Sequence, residues 1–277
     1  MKKIGVIYNP TRKKNLLLAR KIENYLSKKN ISIAICKAGP EKSEWDKLKG
    51  NLDFALVLGG DGTLLSACRV LGVKGIPVFG INTGHLGFLT EGKKGDVIKL
   101  LQQIIRRKYV IDKRAMLSVK INGKVLYALN DVVISRGASR KMVHMALSVN
   151  GQAASDYIAD GLIISTPTGS TAYALSAGGA VMEPEVEGIE IVPICAHSLT
   201  SRPHIVSDKK ELLVAFNQLH EGMILQIDGQ ETFELNHRAK IKIKRSKHIA
   251  KLLRLKGKEN DFYYRIRQKF HWGQTTK

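Results

Sequence analysis

Ten residues, LVLGGDGTLL at Leu56 to Leu65, constrain this chain more than any other stretch. The apolar run FALVL, Phe54 to Leu58, has the composition of a strand buried on both faces. Three glycines in the four positions Gly59-Gly60-Asp61-Gly62 follow it, and a helical pattern begins at Thr63. Glycine adopts backbone conformations that other residues resist, so such a turn can reverse sharply and bring its N–H groups against a ligand. A helix start immediately behind it favours negative charge. Gly59, Gly60, Gly62 and Thr63 are therefore the candidate phosphate-binding residues. The turn is neither G-x-x-x-x-G-K-[ST] nor G-x-G-x-x-G, so the common nucleotide-binding fingerprints do not describe it.

An acid inside a phosphate-binding turn is costly unless it takes part in the chemistry. Asp61 could accept a proton from an attacking hydroxyl, hold a magnesium ion (Mg2+), or both, and phosphoryl transfer requires these roles. The plainer reading is a glycine-rich turn capped by an aspartate.

Around this block the amino-terminal part alternates two patterns. Lys3 to Tyr8, Ile31 to Cys36 and Ile76 to Ile81 read as strands. Asn15 to Lys28 carries Leu16, Ala19, Ile22, Tyr25 and Leu26 at helical spacing, and Thr63 to Leu71 and Gly95 to Arg107 are further helices. Strand and helix in repetition predict a parallel sheet covered by helices, of the Rossmann-like kind. Beyond Tyr109 the texture changes to apolar alternation and tight turns. Leu117 to Ile121 and Val125 to Leu129 flank Asn122-Gly123, a strong hairpin signal, and Asn150-Gly151 and Asp228-Gly229 repeat it. Asp261 to Trp272 has Phe262, Ile266, Lys269 and Phe270 at helical spacing and is expected to fold back on the first domain. The expected organisation is an α/β amino-terminal domain over 1–108, joined by 255–277, and a β-rich second domain over 109–254.

A length of 277 residues allows one large or two modest domains. Hydrophobic residues make up 44% and charged residues 25%, and no apolar run is long enough to cross a bilayer. The beginning, MKKIGVIYNP, reads as a strand without a signal-type cleavage region, so a cytoplasmic location is expected. Cys36, Cys68 and Cys195 match no metal or disulfide pattern and read as buried small apolar residues. The net charge of +21 suits a polyanionic partner or a phosphorylated small ligand. From Arg238 onward fourteen basic residues stand against two acids, without interleaved aromatics until the final residues. That distribution reads mainly as solvated surface, and no nucleic acid is expected as a partner.

Three further segments carry candidate ligand contacts. Asn82 opens the loop NTGHLGFLT after a strand, where in an open parallel sheet it can share one crevice with the Asp61 turn. His85 of that loop reads as structural or surface. Asp160 to Gly179, DGLIISTPTGSTAYALSAGG, crowds Ser165, Thr166, Thr168, Ser170 and Thr171 into seven positions. Such density suits a loop that wraps a polar ligand, although a turn-rich connector has the same composition. Asn130-Asp131 interrupts two apolar runs and is either a turn or a polar contact at a pocket edge.

Taken together and in order, these segments resemble the NAD kinase family. The matching blocks are GGDG at Gly59 to Gly62, NTGHLGFLT at Asn82 to Thr90, LND at Leu129 to Asp131 and the whole of Asp160 to Gly179. PICAHSLTSRP at Pro193 to Pro203, IDGQ at Ile227 to Gln230 and KFHWG at Lys269 to Gly273 match as well. The resemblance implies that Asp61 is the proton acceptor and touches substrate together with Gly62. It implies that Asn130 and Asp131 hold the adenine side and a ribose hydroxyl of NAD, and that Asp160 meets the nicotinamide end. Thr171, Ala172, Tyr173 and Ser176 would line the dinucleotide, with His144 and Gln230 contributing. Two positions depart from the family pattern: the pair more familiar as Asn-Glu is Asn-Asp here, and the usual proline after SAGG is Ala180. The implied activity is transfer of a phosphoryl group from ATP, or from polyphosphate, to NAD, with Mg2+, by a homodimer or homotetramer.

Two rival readings remain open at this level. A lipid or sugar kinase could use the same GGDGT turn, and a non-enzymatic dinucleotide- or RNA-binding protein could use the positive charge.

Overall fold

The structure is a computed structural model that describes residues 1–48, 50–84, 87–218, 222–235, 239–256 and 261–271. His85 and the final residues of the KFHWG block lie outside the described residues.

In chain order the elements begin β1 (Lys3–Tyr8), α1 (Lys13–Ser27), β2 (Ser32–Lys37), α2 (Lys42–Asp46), β3 (Phe54–Gly59) and α3 (Asp61–Val73). They continue with β4 (Val78–Asn82), β5 (Gly92–Lys93), α4 (Val97–Ile105), β6 (Tyr109–Ile121), β7 (Lys124–Ala128), β8 (Asp131–Ser135) and β9 (Val143–Val149). Then come β10 (Gln152–Ala159), β11 (Gly161–Ser165), α5 (Tyr173–Ser176), β12 (Gly188–Ile194), β13 (His204–Ser207) and β14 (Leu212–Gln218). The last are β15 (Ile224–Ile227), β16 (Glu231–Glu234), β17 (Ile241–Leu255) and α6 (Phe262–Phe270). Two compact units result, one of residues 1–113 with 250–277 and one of residues 114–249. No helix among the described residues is long and apolar enough to cross a membrane.

In the first unit the parallel strands run in the order β2, β1, β3, β4. The connection from β1 leads to β2 on one side, and the next leads back across to β3 on the other. The order therefore reverses between β1 and β3, and in such sheets ligands bind beyond the carboxyl ends of the strands at that reversal. Strand β3 is buried at every position because helices cover both faces of the sheet. Phe54, Leu56, Leu58, Phe79 and Ile81 form the core with Ala19, Ile22 and Leu26 of α1 and with Val97, Leu101 and Ile104 of α4. One detail of α1 differs from expectation: Leu16 is exposed and Asn15 takes the buried slot. Its side-chain amide donates to the carbonyls of Asn9 at 3.1 Å and Leu58 at 3.3 Å, tying together the ends of β1 and β3.

In the second unit the antiparallel strands form one sheet in the order β13, β12, β11, β8, β15, β16. A second antiparallel set contains β10, β9 and β14, with Leu212 opposite Ile243 of β17. Inward residues of both sets, among them Val132, Ile134, Met145, Leu147, Leu162, Ile164 and Val214, share one core. The Asn122-Gly123 and Asn150-Gly151 turns hold both residues at positive φ, 47° and 78° in the first and 49° and 80° in the second. That is the geometry that the two-residue hairpin signal requires. On the other face of the β11 sheet, Val133, Ile163 and Val192 pack against Ala174 of α5, which seats the hydroxyl-rich loop on the sheet. Cys36 and Cys68 are buried as expected, whereas Cys195 is exposed and adopts a positive φ of 47°. Its place where the chain leaves β12 removes it from the core.

Candidate active site

The first half of the site is the carboxyl end of β3. Gly60 is extended and supplies no side-chain cap to α3, so Asp61 becomes the first helical residue, where an acid suits the helix dipole. A Cβ on Gly59 would overlap the side chain of Thr63, while a Cβ on Gly60 would meet nothing within 4 Å. The glycines thus differ in purpose: Gly59 makes room for packing, and Gly60 faces open space.

Asp61 is gripped by the segment that follows Asn82. Its Oδ2 accepts the amide of Phe88 at 2.5 Å, and its Oδ1 accepts the amides of Leu89 at 3.2 Å and Thr90 at 3.1 Å and the hydroxyl of Thr90 at 3.1 Å. Gly87 is needed for this approach, since a Cβ there would overlap the carboxylate. A carboxylate offers about four lone-pair positions. Among the described residues three donors fill Oδ1 and one reaches Oδ2, which keeps a position for a further hydrogen. Asn82 is buried, donating to the Thr90 hydroxyl at 3.1 Å and accepting the amide of Gly84 at 2.6 Å, so its side chain shapes the segment that holds Asp61.

Behind the segment lies a set of charges that sequence reasoning missed. Glu91, its side chain 4% exposed, pairs with Arg254 and Arg265, each at 2.9 Å. Arg254 also bonds Asp112 at 2.9 Å and the carbonyl of Leu89 at 2.8 Å, and Arg265 donates to the carbonyl of Phe88. On the same helix, Lys269 stands 4.7 Å from the centre of the Phe88 ring, and Phe270 lies 5.1 Å from it. Burial lowers the pKa of Lys269, and the negative charge of Asp61 opposes that shift. Glu91 and its arginines are far apart in the sequence, so no local pattern could have joined them.

A cavity of about 640 Å³ opens in the same unit, lined by Arg12, Lys13, Lys14, Lys21, Lys94 and Thr83 together with Asn15, Leu17 and Leu18. Among the described residues none that lines it is acidic. Arg12 donates to the carbonyl of Thr83, and the amide of Thr83 donates to Gly59 at 3.1 Å, which links the cationic groove to the glycine turn. The run NPTRKKN directly after β1 was the available signal, because it sits at a strand end beside the point of reversal.

The second unit carries the other candidates. Within the hydroxyl-rich loop Ser165, Thr166, Thr168 and Ser170 are buried. Ser165, Thr166 and Ser170 donate to carbonyls of the protein itself, Thr166 to Leu129 at 2.6 Å and Ser170 to Pro167 at 2.7 Å. Irregular backbone in a protein interior leaves carbonyls that need donors, and these side chains supply them. Past them Thr171 and Ala172 are half-buried and Tyr173 and Ser176 are exposed on α5. Asp160 pairs with Arg136 at 2.9 Å, and His144 is half-buried on β9. Gln230 is exposed in the turn before β16.

Asn130 and Asp131 do not form a turn. Asp131 starts β8 and is buried, and both its amide and that of Asn130 donate to Asp228 Oδ1, at 3.1 and 2.7 Å. The amide of Leu129 donates to Oδ2 of the same residue at 3.1 Å. Asp228, read only as a turn former, thus organises three consecutive amides. The Asp131 carboxyl is pushed up to about 7, chiefly by burial and then by the charge of Asp228. The side-chain carbonyl of Asn130 is buried and lacks a hydrogen-bond partner among the described residues, the state of a group that awaits a donor. Among the described residues no three His, Cys, Asp or Glu side chains are grouped to hold a metal ion.

Family models match both parts of the chain. The ATP-NAD kinase N-terminal domain matches residues 4–109, and the ATP-NAD kinase C-terminal domain matches residues 129–255. The chain belongs to the NAD kinase family. Among curated relatives it is 37% identical over 281 residues to the NAD kinase of Thermoanaerobacter sp. (strain X514), covering 97% of this chain and 99% of that protein. The NAD kinase of Methanothermobacter thermautotrophicus is 36% identical over 275 residues, 97% of this chain and 96% of that protein. A solved NAD kinase from Archaeoglobus fulgidus, in complex with ATP, superposes with a TM-score of 0.74 at 27% identity, covering 97% of each chain. Yeast NADH kinase complexed with NADH shares the fold, with a TM-score of 0.87 at 22% identity, covering 100% of this chain and 89% of that one. The α/β first part and β-rich second part expected from sequence are those of NAD kinases, and membership of this family does not favour the lipid kinase, sugar kinase or RNA-binding readings.

Proposed function

We propose that this chain transfers the γ-phosphoryl group of ATP to the 2′-hydroxyl of the adenosine ribose of NAD, giving NADP. The observation that carries the reading is the carboxylate of Asp61. It stands at the carboxyl end of β3, beside the open face of Gly60, held by four donors among the described residues, which leave a lone-pair position on Oδ2. In line transfer asks for an oriented hydroxyl, stabilisation of charge on the phosphoryl oxygens and an acceptor for the departing proton. Asp61 takes the proton. Amides of the Gly59 to Gly62 turn and the start of α3, including that of Thr63, cradle phosphates, and Arg12, Lys13, Lys14, Lys21 and Lys94 attract the donor's charge.

On the acceptor side Asn130 and Asp131 hold the adenosine part of NAD. The side-chain carbonyl of Asn130 receives a ligand N–H, and Asp131 receives a ribose hydroxyl. Thr171, Ala172, Tyr173 and Ser176 line the dinucleotide, Asp160 meets its nicotinamide end, and His144 and Gln230 contribute. Asn82 acts by shaping the segment that holds Asp61.

Magnesium fits as part of the donor. Mg2+ commonly keeps several waters and is held by one or two carboxylates plus substrate phosphates, so no dedicated cage is needed. Asp61 is the side chain of the turn that would reach it, and the bound ion would neutralise phosphate charge. The reading includes a cytoplasmic homo-oligomer, which cell fractionation and light scattering test. The decisive assay incubates purified protein with ATP, Mg2+ and NAD and detects NADP with a dehydrogenase strict for it. Steady formation of NADP supports the proposal, and its absence at saturating substrates rejects it.

A further inference from the structure

Two peptide groups join the site carboxylate to two arginines. The peptide between Phe88 and Leu89 donates its N–H to Asp61 Oδ1 at 3.2 Å and accepts a hydrogen bond from Arg265 at its carbonyl. The peptide between Leu89 and Thr90 donates its N–H to the same oxygen at 3.1 Å and accepts from Arg254 at 2.8 Å. Each arrangement is a line of guanidinium, carbonyl, N–H and carboxylate. Hydrogen bonds in such chains polarise one another, and a cation on the carbonyl makes the N–H a better donor. The arginines are themselves fixed by Glu91, which bonds both of them and the amide of Leu255 at 3.0 Å. Helix α6 adds Lys269 and Phe270 against the ring of Phe88, so one short helix holds the outer side of the segment whose inner side holds Asp61.

We infer that Arg265 and Arg254 are positioning residues for phosphoryl transfer, setting the orientation of the Asp61 carboxylate through the peptide groups of Phe88 to Thr90. Neither arginine needs to touch substrate for this. The inference rests on the reading of Asp61 as proton acceptor. It also gives the returning carboxyl-terminal segment a part in the reaction beyond packing. Misplacing a reacting group by about 1 Å typically costs about 10²-fold in rate, so loss of one peptide anchor should reach kcat while the dinucleotide still binds.

Arg265 is the residue to test, since its removal leaves Glu91 paired with Arg254. In Arg265→Gln, kcat should fall roughly 10- to 100-fold while the Kd for NAD stays within about twofold. Arg265→Lys keeps a cation beside Glu91 but lacks the planar fork that spans Glu91 and the Phe88 carbonyl. It should fold even if the glutamine variant does not, and should reproduce a loss in kcat. A double-variant cycle separates positioning from general damage: in the Asp61→Asn background Arg265→Gln should change the residual rate less than about threefold, because residues acting as one unit are not additive. Normal kcat in both Arg265 variants, or an equal loss with and without the Asp61 carboxylate, overturns the inference. A normal rate in Asp61→Asn alone instead overturns the reading on which it rests, so the two failures are distinguishable.

Discussion

The amide of Ala180 donates to Oε1 of Glu190 across 2.5 Å, at the position where the sequence resemblance implies a proline, which could offer no hydrogen. Glu190 is fully buried in β12, and its Oε2 has no partner among the described residues. Burial raises the pKa of this carboxyl, while the Ala180 amide works in the opposite direction. The two residues form a pair, in which alanine supplies an amide donor to a buried glutamate. Restoring proline, Ala180→Pro, should therefore destabilise the protein by about 1–3 kcal/mol, the cost of a buried polar group left unmade. Glu190→Met should be nearly neutral, and Ala180→Pro in that background should lose little. Thermal melting of the four proteins decides the matter, and equal losses from proline in both backgrounds would dissolve the pair.

Asp131 predicts a pH dependence of dinucleotide binding. Its folded-state pKa of about 7 lies above the ordinary 3.8, so the native protein holds this proton more tightly than the unfolded chain does. The stabilisation is complete below the ordinary value and is lost as pH rises toward 7. Binding runs the other way, because the ionised carboxylate is the better acceptor for a ribose hydroxyl. Calorimetry at pH 6 and pH 8 should give tighter NAD binding at the higher value, with Asp131→Asn removing the dependence. In Asp228→Asn the change should move to lower pH, since one cause of the raised pKa is gone. A wild-type affinity that is flat across this range would contradict the assigned role.

Gly87 and Gly60 should fail in different ways. A side chain at Gly87 overlaps the Asp61 carboxylate, so Gly87→Ala should lower kcat by about 10²-fold or more with NAD binding retained. A methyl group at Gly60 enters open space, so Gly60→Ala should fold normally and raise the KM for ATP instead. Steady-state kinetics on both variants check the split, and identical effects would show that the turn has only a structural part.

The cationic groove should act on the donor. Lys14→Glu and Lys21→Glu should each raise the KM for ATP by roughly 2- to 5-fold, the scale of an exposed charge interaction, and the difference should shrink at high salt. Unchanged KM at low ionic strength in both variants would remove the groove from the donor site.

Much of the fold was legible because its signals are local. The buried run at Phe54 to Leu58, the glycine turn after it and the Asn-Gly hairpins each state their geometry within a few residues. What escaped was long range. Glu91 meets Arg254 and Arg265 only because β17 and α6 bring the far end of the chain to β4, a pairing without any sequence period. Asp228 looked like a turn residue because its other task, collecting the amides of Leu129 to Asp131, depends on strands β8 and β15 being neighbours. The hydroxyls of Ser165 to Ser170 suggested either ligand contacts or a turn-rich connector, and those of Ser165, Thr166 and Ser170 satisfy carbonyls of the protein itself. Composition alone cannot distinguish a donor that serves a ligand from one that serves the backbone.

The most direct test concerns Asp61 itself. In Asp61→Asn, NAD should bind with near wild-type affinity by calorimetry while kcat falls at least about 100-fold, the lower range for loss of a general base. An asparagine enzyme that makes NADP at close to the wild-type rate would contradict the account.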